Sequence, residues 1–228
     1  MAESRSISER LAKMPPGRHL VPRDYVAQSQ RDRILLATTE LVAERGYQKT
    51  TIELIAKTAR VALSTFYEHF DDKEACFLAA FDESTEAAAE VFAELIDPTQ
   101  DWTDQIATAL EVFLEMVTNE TPRATVCIVE SQAAGPAALA RYQAMLESVA
   151  PKLREGRVLN PRASRLPDGL EVAIAGGIAW LVHQRLVAGQ AGQIKELLPE
   201  VLQTTLTPYV GEVEAGRAAD AARARIAA

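Results

Sequence analysis

The chain has 228 residues, with 48% hydrophobic and 25% charged side chains, a size and balance that allow a buried core in one large domain or two small ones. No apolar run approaches the roughly 20 residues that span a bilayer. The first twenty residues carry basic groups without the apolar stretch of a secretory signal. Cys76 and Cys127 form neither a disulfide framework nor a metal-ligand pattern, so a cytoplasmic protein with no membrane partner and no metal is expected.

The net charge of −8 is unevenly spread. Through Arg33 the chain has seven basic and four acidic residues; from Cys76 onward it has 12 basic and 21 acidic. A basic end on an acidic body suits a molecule that offers one end to phosphates, although a solvated tail gives the same count. Aromatics are sparse and Ala and Leu abundant, which favours helix over sheet.

In chain order, residues 1–28 are polar and interrupted by Pro15, Pro16, Gly17 and Pro22, and read as a flexible basic arm. Ile34, Leu35, Leu41 and Val42 then recur at helical spacing up to Arg45, with Gly46 placed to end the helix. Thr50 and Thr51 stand where a helix N-cap belongs, and Thr50 with Glu53 has the spacing of a capping box. A short helix with Ile52, Ile55 and Ala56 follows, then another with Phe66, Tyr67 and Phe70. Asp71 and Asp72 begin a longer one that runs to Pro98. Beyond it come helices around Ile106 to Val117, Val126 to Val129, Leu139 to Val149, Leu170 to Val187 and Ile194 to Leu206. Gly156 to Pro167 reads as a loop, and Ala215 to Ala228 as a frayed helix or tail. No alternating strand pattern, fixed-period repeat or internal linker interrupts this order, so an all-α fold packed as one body is expected.

Two short helices joined by a tight turn, Ile52 to Thr58 and Leu63 to His69, have the proportions of a helix-turn-helix, whose second helix enters the major groove. The surrounding residues Gly46-Tyr47, Thr50-Thr51-Ile52, Ile55-Ala56, Ala59, Val61, Thr65-Phe66-Tyr67, His69-Phe70 and Lys73-Glu74 resemble the TetR (tetracycline-repressor-like) family of bacterial regulators. The match is close over about 45 residues and architectural beyond them. The resemblance implies a three-helix DNA-binding head at 29–75 packed on a helical ligand-binding and dimerisation body at 76–228. Leu63, Ser64 and Thr65 would meet base edges, with the Thr65 methyl available to thymine. Tyr67, His69, Lys73 and Thr50 or Thr51 would meet phosphates. Phe66 and Phe70 fit the head's core better than a contact surface. The arm residues Arg18 and Arg23 would either reach DNA or stay in solvent.

Two positions depart from the family pattern. Arg60 stands where glycine is usual, at a turn that calls for positive φ, and is also placed to touch a phosphate. Ala62 stands where serine usually caps the recognition helix.

For the body the resemblance implies a homodimer formed by its last two long helices. The candidates are Leu170, Ile174, Gly177, Ile178, Leu181, Leu198 and Leu202; the paired glycines would allow close backbone approach. A small-molecule effector would lie among the middle helices, near Phe81, Phe92, Phe113, Met116, Cys127, Glu130, Tyr142, Trp180 and His183. Glu130 and His183, polar groups on apolar faces, need a partner: each other or a ligand. No cofactor is implied. Walker, dinucleotide-binding, zinc-protease and serine-hydrolase motifs are missing, so the sequence names no catalytic residue and no enzyme. The expected function is a repressor that binds a palindromic double-stranded DNA operator as a homodimer and is released by its effector. The alternatives are an activator or ligand-independent regulator of the same fold, or a helical interaction module with impaired DNA binding.

Overall fold

The computed structural model describes residues 23–161 and 163–227; the arm before Arg23, including Arg18, lies outside them. Helix α1 spans Arg23–Arg45, so Arg23 to Gln28, expected in the arm, form the first turns of a helix. It stops where expected: Gly46 takes φ +83°, and its N–H closes the last turn on the Val42 carbonyl at 2.9 Å.

Three short elements complete the head. Helix α2 (Ile52–Ala59) begins at Thr51, whose hydroxyl accepts from the Leu54 N–H at 3.3 Å. The cap is therefore one residue later than the Thr50–Glu53 pattern suggests. Thr50 is buried instead and donates to the Gly46 carbonyl at 3.0 Å. Helix α3 (Leu63–His69) follows a tight turn, and α4 (Lys73–Leu95) starts at Asp72, which accepts from the Ala75 N–H at 2.7 Å. Ile34, Leu35, Leu41, Ile55, Phe66 and Phe70 fill the space between α1, α2, α3 and the start of α4. Phe66 and Phe70 are thus core, as their apolar spacing indicated.

Helices α5 (Trp102–Asn119), α6 (Thr121–Ile128), α7 (Pro136–Ser148), α8 (Ala150–Arg154), α9 (Leu170–Val187), α10 (Leu198–Val210) and α11 (Glu212–Ala227) build the body. Tight turns at Glu130–Gln132, Glu155–Leu159, Ala163–Arg165 and Ala191–Leu197 connect them, and no strand occurs among the described residues. The C-terminal run folds as α11, packed on α10 through Ala215, Ala219 and Ala222, which are fully buried. Head and body share no thin joint, because α1 packs along α6 and α4. Val42 and Tyr47, in the head by chain position, are buried in the body's core beside Phe77 and Val126.

Helix α9 is long and apolar enough to cross a membrane by length and composition alone. Its first turn, however, carries Glu171, fully shielded and held by two charge-assisted bonds from Arg157, Nε to Oε1 at 2.6 Å and Nη2 to Oε2 at 2.9 Å. Tyr209 donates to the same carboxylate at 3.2 Å.

Candidate nucleic-acid interface

The head presents one face formed by the start of α2, the turn and the outer side of α3. On α3, Leu63 is 42% and Tyr67 52% exposed, Ser64 is exposed, and Thr65 and His69 are half-buried. Phe66, between them in sequence, is fully buried and anchors the helix by its opposite side. The Tyr67 ring stands edge-on to Phe66 with centroids 5.6 Å apart, so its base is fixed while much of the ring stays exposed. Leu63, Ser64 and Tyr67 therefore form a row that a major groove can receive.

The turn into α3 shows how this sequence manages without the usual glycine. Arg60 adopts φ 56° and ψ 46°, the one non-glycine residue with positive φ among those described. Its N–H and that of Val61 close the end of α2 on the Lys57 and Ala56 carbonyls at 3.2 and 3.0 Å. Arg33, from α1, reaches the same corner: its Nη1 donates to the Ala59 carbonyl at 3.2 Å and to Arg60's at 3.4 Å. A guanidinium thus satisfies carbonyls that end a helix and braces the strained residue. Among the positive charges up to this point of the chain, Arg33 carried no sign of this role in the sequence. Ala62 caps α3 with no side-chain bond, leaving that donor to solvent.

Several expected phosphate contacts are differently employed. Thr50 is buried and turned inward. Thr51 is exposed but occupied as the α2 cap, and Glu53 lies over the same helix end. Bonds from its own N–H and from the Thr51 hydroxyl hold the Glu53 carboxyl below its usual range. A phosphate at this end would have to displace Glu53. Lys73 donates to the Tyr47 carbonyl at 3.0 Å and lies 4.0 Å from that ring's centroid; burial lowers its pKa. Exposed cations near the face are Arg60, Lys49 and Lys57, of which the sequence reading named only Arg60.

The family description for bacterial regulatory proteins of the tetR family matches residues 34–80, which hold this turn and both of its helices. Residues 34–80 carry the DNA-binding domain of the TetR family. Its relatives include the transcriptional activator FasR of Mycolicibacterium smegmatis, 25% identical over 44% of each chain. The regulator UidR of Escherichia coli is 35% identical over 71 residues, 31% of this chain and 36% of UidR. The chain thus aligns with less than half the length of either. The fold extends further: the Bacillus subtilis regulator FadR, solved with stearoyl-CoA, superposes with a TM-score of 0.65 at 20% identity, covering 79% of this chain and 98% of FadR.

In the body the effector candidates do not converge. Phe81 and Cys127 are sealed in the core; Phe92, Phe113 and Tyr142 are half-buried. Met116 lines a cleft of about 240 Å³ between α4 and α5, with Val91, Leu95 and Val112 as apolar lining and Glu115 and Glu120 also at its wall. Trp180 is 57% exposed and stacks on His183 at 5.4 Å on the outside of α9. Glu130 faces neither His183 nor a cavity; it accepts the Tyr47 N–H at 2.7 Å. Of the dimer candidates, Leu198, Leu202 and Ile174 are buried in this chain's own core, because α10 packs on α5 and α11 as well as α9. Gly177 is exposed, and Leu170, Ile178 and Leu181 are half-buried.

Proposed function

We propose that this TetR-family regulator is a repressor that binds a palindromic operator as a homodimer and releases it when a small molecule enters the body. The observation that carries DNA binding is the exposed row Leu63, Ser64 and Tyr67 on a helix anchored by buried Phe66. The outer face of α9 supports the dimer: Trp180 and Val187 are 57% and 64% exposed beside Gly177, a larger apolar surface than a lone helix leaves in water. A two-fold axis there would set two recognition helices about one turn of DNA apart, roughly 34 Å.

The cleft at Met116 supports an apolar effector. Glu115 and Glu120 at its wall are already paired, with Lys195 at 2.9 Å and Arg123 at 4.0 Å, so an uncharged molecule fits the cleft best. Similarity to FasR favours a second reading, activation, which reporter output from the bound promoter distinguishes.

The test is selection of duplexes from a random pool at fixed moderate salt. An inverted repeat should be enriched, and a folded Tyr67→Ala variant should lose it. A folded dimer that enriches nothing would sink the DNA-binding reading.

A further inference from the structure

Tyr47 is held at both of its backbone groups, by the body at its N–H and by the start of α4 at its carbonyl. The Tyr47 N–H donates to Glu130 Oε2 at 2.7 Å, and the Tyr47 carbonyl accepts from Lys73 Nζ at 3.0 Å. Each bond has a charged side chain as one partner, a carboxylate at the N–H and an ammonium at the C=O, so both are charge-assisted and stronger than neutral ones. The ring of the same residue is seated edge-on against Phe77, centroids 5.1 Å apart. Gln48 adds a bond to the Ala133 carbonyl at 2.9 Å. Glu130 and Ala133 belong to the short turn that follows α6. Gly46 is called for by its φ of +83° rather than by space, since a Cβ there would meet Glu130 Oε2 at an ordinary 3.5 Å.

These contacts fall at a particular point of the chain. Helix α1 ends at Arg45 and the helix-turn-helix begins at Thr51, so residues 46–50 are the segment that leads into it. We propose that Glu130 is a positioning residue for DNA recognition: through the Tyr47 backbone, which Lys73 holds at the carbonyl, it sets the angle of the helix-turn-helix on the body. Any displacement of the turn after α6 passes directly to the entry of the helix-turn-helix. The consequence at the operator rests on the DNA-binding reading above; the contact itself is tested without DNA.

Spin labels placed by Thr58→Cys on exposed α2 and Glu147→Cys on exposed α7 report the head–body distance, since both native cysteines are buried. The labelled parent should give one narrow distribution. Glu130→Ala should broaden or shift it by several ångströms, and Glu130→Gln, which keeps an acceptor oxygen, should restore it. An unchanged distribution in Glu130→Ala overturns the proposal. If Glu130→Ala melts too low to label, Glu130→Asp, one methylene shorter, carries the same expectation. On a duplex selected by the parent, Glu130→Ala should bind about tenfold more weakly with the same salt slope, because no phosphate contact is lost. Full affinity alongside a broadened distance would overturn the operator consequence. A parent that selects no duplex, while its labels respond as expected, would count against DNA binding and leave the clamp standing.

Discussion

At Arg60 the chain holds a side chain in a left-handed conformation that costs about 1–2 kcal/mol for any residue with a Cβ. Two residues later Ala62 leaves α3 without the side-chain cap that serine would supply, worth about 1 kcal/mol. Arg60→Gly and Ala62→Ser should therefore each raise the melting temperature, with incomplete additivity because both act on one turn. Their effects on DNA should differ. Arg60→Gly removes an exposed cation and should weaken binding while lowering the salt slope by about one; Ala62→Ser should leave the slope unchanged. Duplex titrations across a salt series check both. Equal slopes in Arg60→Gly and the parent would mean that Arg60 meets no phosphate.

At the scale of elements, the bond network around Glu171 ties α9 to α10 and to the segment between α8 and α9. Arg157 spans that segment, donating to Glu171 and to the Leu166 and Pro167 carbonyls at 2.9 and 2.7 Å. Hydrogen bonding from Arg157 holds the Glu171 carboxyl below its ordinary 4.5, despite its shielding from water. The ionised form is therefore favoured by folding. Its stabilisation is complete above that value and is lost as pH falls through the depressed folded one. Tyr209 runs the opposite way: burial, then the nearby Glu171 charge, push its phenol up to about 12. Its neutral form supports the fold below pH 10 and fails as pH rises through that range. Glu171→Gln should cost about 3 kcal/mol near neutrality by leaving Arg157 without its counter-charge. It should also flatten the acid side of a plot of melting temperature against pH. An unaltered acid limb would place the acid sensitivity elsewhere.

The elements themselves were largely legible: Gly46 ended α1, Pro98 followed the end of α4, and Leu170 to Val187 formed one helix, as apolar spacing and helix breakers implied. Exact contacts were less so. Two adjacent threonines satisfy one capping pattern, and only backbone geometry chose Thr51. Helices α9 and α10 are apolar on more than one side, so spacing could not separate the inward Leu202 from the outward Gly177. Glu130 clearly needed a partner, but that partner lies 83 residues away and is a backbone N–H, which leaves no trace in side-chain pattern.

For the whole molecule, charge and exposed surface divide the labour. On the proposed reading, the acidic body repels phosphate and so steers DNA towards the head, and the apolar outside of α9 receives a second copy. Gly177 provides a clean test, because nothing lies within 4 Å of a Cβ built there. Gly177→Arg should fold as well as the parent, since glycine is a poor helix former. It should nevertheless sediment as a monomer and lose affinity for an inverted repeat. A Gly177→Arg protein that still sediments as a dimer would move the interface off α9.

The two cysteines sit in different cores, Cys76 in the head's and Cys127 in the body's, each with its thiol pushed up to about 12 by burial. Burial both keeps each thiol protonated at neutral pH and shields it, so an oxidant or disulfide reagent waits for the protein to open. Modification then becomes a pair of clocks. With Cys127→Ser the reagent times the opening of the head, and with Cys76→Ser that of the body. Equal rates would describe a molecule that breathes as a single unit; a faster head clock would show the DNA-reading end flickering open while the body stays shut.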